Sequence, residues 1–338
     1  MNLTTLCEAL RASRGFAHKR DIGTVMGSLA SVLPEGVRVG DDCAAIPDAS
    51  ATDGSHLLFA IEGFVDDFVE AMPWFAGYCG VMVNVSDIAA MGGRPIAVVD
   101  ALWSPGDGAS AQILAGMAEA SRRYGVPIVG GHSNHRSVRG QLAVAILGRA
   151  QRLLTSFDAR PGDTLLMAID LRGEWQSPHP YWNASTSAPG ERLRGDIELL
   201  AQIAEAGLAD AAKDISMAGT LGTALMLLEC SRVGAVIDVA AIPRPHDIAL
   251  DNEAALLRWL TAFPSYGYLL SVHPDRVDAV RARFAARQIA CAAIGQVHAE
   301  PTLSLRHGDQ QALLWDLREQ AFITAQPAPR QRAATAAD

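Results

Sequence analysis

The chain has 338 residues, 49% of them hydrophobic and 19% charged, with a formal charge of −9. So apolar a chain can bury a large core and is not disordered from end to end, yet it lacks the run of about 18 apolar residues that a membrane helix needs. An acidic balance without a basic run argues against a nucleic-acid groove, and five scattered cysteines form neither a disulfide framework nor a zinc cluster.

The first residues, MNLTTLCEALRASRGFAHKR, have no basic head followed by a long apolar run, so a cytoplasmic protein is expected. In chain order, His56–Ile61, Ile96–Ala101 and Leu142–Leu147 are apolar runs of strand length; Gly77–Met91 and Ser110–Tyr124 alternate with them as helices. After the turn Arg160-Pro161-Gly162-Asp163 the pattern restarts with the strand-like run Thr164–Leu171. A boundary is therefore expected near residue 150, with domains at 1–150 and 151–325. Leu193–Ala206 and Thr220–Ser231 read as helices, and Ala235–Val239, Gly267–Val272 and Ala292–Val297 as strands. Arg172–Gly190 is a polar, aromatic loop longer than a connector requires, and 326–338 is expected to be a disordered tail. The mixture predicts an α+β (mixed α/β) fold.

Five segments carry groups that do chemistry. Gly40-Asp41-Asp42-Cys43-Ala44-Ala45 offers two adjacent carboxylates to a hard cation, although a surface turn has the same composition. Glu62 follows the strand His56–Ile61, where α/β folds gather ligands, or else simply closes that strand in solvent. In Val83–Pro95 (VNVSDIAAMGGRP), helical spacing puts Asn84 and Asp87 on one face among apolar neighbours, and Gly-Gly with proline then stops the helix. Buried polar groups are costly unless satisfied, so a metal or nucleotide partner competes here with an exposed polar stripe. The short strand Val126–Val129 runs into Gly130-Gly131-His132-Ser133, expected as a turn whose amides face an anion. Lys213-Asp214 precedes the small-residue turn that opens the last of these helices, with Asp214 either at a ligand or capping. Lysine occurs only at Lys19 and Lys213.

The order and spacing of these segments, across residues 35–300, resemble the superfamily of aminoimidazole ribonucleotide (AIR) synthase, thiamine-monophosphate kinase, selenophosphate synthetase and the hydrogenase maturation dehydratase. Gly40–Ala45 matches its GDDAA motif and Glu62 the acid ending the next strand. Asn84–Pro95 matches its NxSDxAAMGxxP helix nearly letter for letter, Gly130–Ser133 its GGDT-type turn, and Asp214–Leu221 a variant of DISDGL or TGGGL. Glu62 stands where Asp is usual, and His132 replaces an acid, as in selenophosphate synthetases. Met217 takes the second acidic place of the thiamine-monophosphate kinase pattern, and Gly15–Lys19 keeps the lysine of selenophosphate synthetase without its thiol. Within the superfamily the chain looks most like the AIR synthase-related proteins.

The resemblance implies a two-domain AIR synthase-like fold, with an N-terminal sheet that forms a barrel across a homodimer and a C-terminal sheet packed with helices. It implies that Asp41 or Asp42, Glu62 and Asp87 hold magnesium, with Gly40, Asn84, Gly130, Gly131, His132 and Ser133 around ATP. Lys19, on a mobile N-terminal arm, would close over the β- and γ-phosphates, and Asp214 would act on the acceptor side as general base or anchor. The small-molecule acceptor is expected toward Arg172–Gly190, where Trp175, His179, Tyr181 and Trp182 would make a polar-aromatic pocket. The expected activity is transfer of, or activation through, the γ-phosphate. The alternatives are a non-catalytic, nucleotide-gated partner protein and a scaffold without nucleotide. Neither nucleic acid nor membrane is an expected partner.

Overall fold

The computed structural model describes residues 2–33 and 38–324, and the expected tail at 326–338 lies outside the described residues. Two helices open the chain, α1 (Leu3–Arg11) and α2 (Arg14–Leu29). The Asn2 side chain caps α1 by accepting from the amides of Thr4 and Thr5, and Leu3, Leu6, Cys7 and Leu10 form its buried stripe. α2 is more polar and is pinned by Phe16, which is fully buried and meets Phe322 edge-on at 5.2 Å between ring centroids. The mobile arm expected around Lys19 is therefore a packed helix. One large aromatic anchor offsets an otherwise polar sequence.

The first domain follows as β1 (Ala44–Pro47), β2 (His56–Phe64), α3 (Asp66–Ala71), α4 (Pro73–Ala90), β3 (Arg94–Trp103), α5 (Asp107–Tyr124), β4 (Ile128–Asn134) and β5 (Gln141–Ala150). Its sheet has the order β1-β2-β5-β3-β4, antiparallel except for the parallel β3–β4 edge. Leu58 and Ala60 on β2 are buried on the helix side, while Phe59 and Ile61 point to the opposite, uncovered face. The turn expected at Gly130–Ser133 is instead part of β4. Its ladder with β3 runs on from Val99–Gly130 to Trp103–Asn134, because parallel pairing uses backbone groups whatever the side chains. At Gly131 only a hydrogen fits, since a β-carbon would stand 2.3 Å from Asp100 Oδ1.

The second domain contains β6 (Thr164–Ile169), β7 (Glu174–Trp175), β8 (Tyr181–Asn183), α6 (Gly190–Glu205), β9 (Ala211–Asp214), α7 (Gly219–Ser231), β10 (Gly234–Asp238) and α8 (Glu253–Leu260). It closes with β11 (Phe263–Pro264), β12 (Gly267–Val272), α9 (Val277–Ala285), β13 (Ala290–His298), β14 (Thr302–His307) and β15 (Gln310–Asp316). The main sheet runs β15-β14-β10-β13-β6-β12-β9, and β11-β8-β7 forms a small sheet beside it, so the expected loop at 172–190 is partly strand. β6 and β12 are buried at every residue, as strands covered on both faces must be. Leu166 and Ala168 join the core around α4, while Leu165, Met167 and Ile169 join the core around α1 and α7. α4 packs on β2, β3 and β5 on one side and meets α6 and β9 on the other, which is why nearly all of Phe75–Ala90 is buried.

Candidate metal and nucleotide site

The site lies where α4 meets β9. Alternation along β9 places Ala212 in the α4 core and Ala211 in the opposite one, so Lys213 and Asp214 leave the strand on different faces. Asp214 thereby meets Asp87, on the last turn of α4, and Asp42, from the turn before β1. Carboxylate oxygens of Asp42, Asp87 and Asp214 lie within 4.8 Å of one another. The turn that delivers Asp42 needs Gly40, whose φ is +130° and whose β-carbon would stand 2.5 Å from Cys230 Sγ.

From the sequence Lys213 carries no role of its own, yet it is the counter-charge of the cluster. Its Nζ donates to Asp42 Oδ1 at 2.5 Å and to the Gly40 carbonyl at 3.2 Å. The other Asp42 oxygen accepts from the Asp214 amide at 3.2 Å, and Asp41 Oδ1 accepts from the Ser156 amide at 2.7 Å. Burial alone would push the Lys213 ammonium down, but Asp42 and Asp41 outweigh it and hold the proton more tightly than usual.

The carboxylates themselves are under strain from desolvation. Burial and then the charges of Asp214 and Glu62 push Asp87 far above the ordinary range; burial and then Asp42 do the same to Asp214. Burial raises Asp41 to about 6 against the pull of Lys213, and raises Glu62 against the pull of Lys19. Two ionised carboxylates some ångströms apart repel by about 3–4 kcal/mol at an effective dielectric constant near 20. One lysine does not cancel this. Among the described residues, buried Asp87 Oδ2 and Asn84 Oδ1 have no hydrogen-bond partner.

Lys19, Gly40, Asp41 and Glu62 line the same cleft of about 950 Å³ as the three aspartates. Asp214 sits among the metal-binding candidates and not apart from them on an acceptor side. Nor does it cap α7, whose N-terminus has no side-chain cap. Asn84 is fully buried behind the cleft wall, its Nδ2 donating to the Gly80 carbonyl at 2.8 Å, so it does not reach the cleft surface. Gly130, Gly131, His132 and Ser133 are not brought to this chain's cleft. The register Glu62–Val144–Asp100–Gly131 crosses three strand spacings, roughly 14 Å. His132 instead neighbours Trp103, with ring centroids 6.2 Å apart. Of the expected aromatic pocket, Tyr181 and Trp182 line a hollow beside the cleft and His179 a neighbouring one, whereas Trp175 stacks edge-on against Trp182 and Trp259.

Residues 40–150 match the family described as AIR synthase related protein, N-terminal domain, and residues 182–308 match its C-terminal domain. The protein sll0787 of Synechocystis sp. is 47% identical over 321 residues, covering 94% of this chain and 97% of that protein. This chain belongs to the AIR synthase-related family. Thiamine-monophosphate kinase of Synechococcus elongatus is 28% identical over 298 residues, or 81% of this chain and 88% of the kinase. T. maritima PurL complexed with ATP superposes with a TM-score of 0.72 at 18% identity, over 96% of this chain and 52% of that one. The likeness to PurL shows the shared two-domain AIR synthase-like fold, a mixed α+β architecture. Among the described residues of this family member, no helix is long and apolar enough to cross a membrane.

Proposed function

We propose that the chain binds ATP with magnesium in this cleft and transfers the γ-phosphoryl group to a small-molecule acceptor, or activates the acceptor through it. One observation carries the reading: Asp42, Asp87 and Asp214, drawn from both domains, converge within 4.8 Å. The all-oxygen donor set suits a hard cation, and the unpartnered Asp87 Oδ2 is an oxygen waiting for one. Magnesium held by Asp42, Asp87 and Asp214, flanked by Asp41 and Glu62, would neutralise phosphate charge in an otherwise repulsive cleft. Lys19 on α2 reaches the same cleft as a point charge for the polyphosphate. Glu62, whose affinity for a proton is raised by burial, takes the proton of the acceptor's hydroxyl. The acceptor oxygen then bonds to the γ-phosphorus, and ADP departs with the electron pair of the broken P–O bond.

The uncovered face of the first sheet supports a homodimer. Ile46, Phe59 and Ile61 on that face are 49%, 51% and 66% exposed, and an apolar face of this kind calls for a covering layer. A second copy laid on it would close a barrel. β4 then lies at the seam, and any contact between Gly130–Ser133 and a nucleotide has to cross it.

Replacing Asp87 by Asn tests the reading. Calorimetric titration with magnesium and the non-hydrolysable analogue AMPPCP is expected to show binding to the native chain and none to Asp87→Asn, with unchanged circular dichroism. Unchanged nucleotide affinity overturns the metal assignment. A second reading, a nucleotide-binding partner protein without turnover, is favoured by Met217. Its side chain, 41% exposed, stands in the cleft wall at a place the resemblance assigns to an acid. Binding of Mg–AMPPCP together with no phosphate transfer from Mg–ATP to any acceptor supports that reading.

A further inference from the structure

One side chain holds the stretch Phe322–Thr324. Glu229, in the last turn of α7, accepts from the amides of Phe322 at 2.8 Å, Ile323 at 2.7 Å and Thr324 at 3.3 Å, and from the Thr324 hydroxyl at 2.8 Å. Three successive amides converging on a carboxylate make a nest for its charge. A glutamate in the last turn faces the negative end of its own helix dipole, so α7 does not favour it there; its partners do. The residues it holds serve two neighbours. Phe322 meets Phe16 of α2 edge-on, and Ile323 lines the carboxylate cleft beside Ile22 of the same helix. α2 lies so close on this strap that a β-carbon at Gly23 would stand 2.8 Å from the Thr324 carbonyl oxygen. At its start α2 is seated again, where a β-carbon at Gly15 would stand 2.3 Å from the Met217 carbonyl oxygen. Lys19 lies between these two supports, about one turn after Phe16, and reaches the cleft.

Resting on the reading that the cleft binds ATP with magnesium, we infer that Glu229 is a positioning residue: through the strap Phe322–Thr324 it fixes α2 and so places the Lys19 ammonium over the polyphosphate. Glu229 is not among the described residues that line the cleft, so it acts only through what it holds. Without its four bonds the strap loses its tie to α7, and α2 keeps one firm seat, at Gly15, instead of two. A point charge on a long side chain then has no fixed place from which to meet a phosphate.

The test measures the affinity of the full chain for Mg–AMPPCP and for AMP by calorimetry, in the native protein, Glu229→Gln, Lys19→Met and the double variant. Glutamine has the size of glutamate, but its amide nitrogen would turn N–H groups toward backbone amides that also donate. Glu229→Gln is expected to weaken Mg–AMPPCP about tenfold, the loss of one charge-assisted contact, and to leave AMP, which lacks the β- and γ-phosphates, within about twofold. Lys19→Met should lose the same factor, and the double variant no more than either single one, because both changes remove the same contact. Unchanged Mg–AMPPCP affinity in Glu229→Gln, fully additive losses in the double variant, or a parallel loss of AMP affinity overturns the inference, since a strap that only supports the fold would move every nucleotide alike. If Glu229→Gln does not fold, Thr324→Val removes one of the four bonds and gives the same comparison with a factor of about three. A native chain that does not bind Mg–AMPPCP overturns the reading beneath; native binding with additive losses overturns this inference alone.

Discussion

The two large sheets draw on the same apolar residue types and solve burial in opposite ways. The first sheet is covered on one face only, so β2 alternates between Leu58 and Ala60 inside and Phe59 and Ile61 outside. The second sheet is covered on both along β6 and β12, which are buried at every residue without alternation. The charges that line the cleft gather where the two designs meet. Glu62 is on the covered side of the one-sided sheet, and Lys213 and Asp214 end the edge strand of the two-sided one. A carboxylate placed there is stripped of water by both domains at once. That is the physical origin of the raised proton affinities of Asp87 and Asp214.

The sharpest way to break this contrast is a charge in the two-sided sheet. Leu166 on β6 is fully buried, and Leu166→Asp would strand a carboxylate in the α4 core with no partner. The cost, about 5 kcal/mol or more, rivals the whole stability of a domain. Loss of folded, soluble protein by circular dichroism is expected. A cooperative native-like transition in this variant would show that the second sheet is not closed on both faces.

A somewhat smaller effect is expected at the junction. Lys213 and Asp42 are both nearly buried and pair at 2.5 Å. Lys213→Met leaves the Asp42 carboxylate uncompensated beside Asp41, and should cost about 3–5 kcal/mol in urea unfolding. Adding Asp42→Asn should recover a good part of that loss, since the pair couples directly. A Lys213→Met chain within about 0.5 kcal/mol of native would mean that the cluster does not depend on its internal cation.

How much of this was legible beforehand differs by segment, and the reasons are physical. Asn84–Pro95 was readable because a buried helix with a Gly-Gly stop and a proline two residues on announces itself locally; α4 ends at Ala90 as that pattern requires. Lys213 was not readable as a partner of Asp42 because the two are 171 residues apart. Its strand, Ala-Ala-Lys-Asp, has no β-branched residue to mark it, and only pairing with β12 makes it one. Gly130–Ser133 looked like a turn because glycine pairs usually are, whereas backbone pairing to β3 holds it extended. Lys19 looked mobile because α2 is polar around it; the anchor, Phe16 against Trp315 and Phe322, is contributed by the far end of the chain. In each miss a long-range partner overrode a local signal.

The mildest change probes the open face. Ile61 is 66% exposed on β2, one residue before Glu62 and on the opposite side of the strand. Because the side chain already meets water in the single chain, Ile61→Asp should alter the stability of the isolated fold by no more than about 0.5 kcal/mol. In a barrel dimer that covers this face the same carboxylate would be buried among apolar groups, which is a costly place for charge. Light scattering after size exclusion should therefore give a dimer mass for the native chain and a monomer mass for Ile61→Asp. A native chain that elutes as a monomer would leave this face without an occupant, and a variant that remains dimeric would place the contact elsewhere. The contrast between the sheets would then lose its functional meaning, since an uncovered apolar face with no occupant is only a solubility cost.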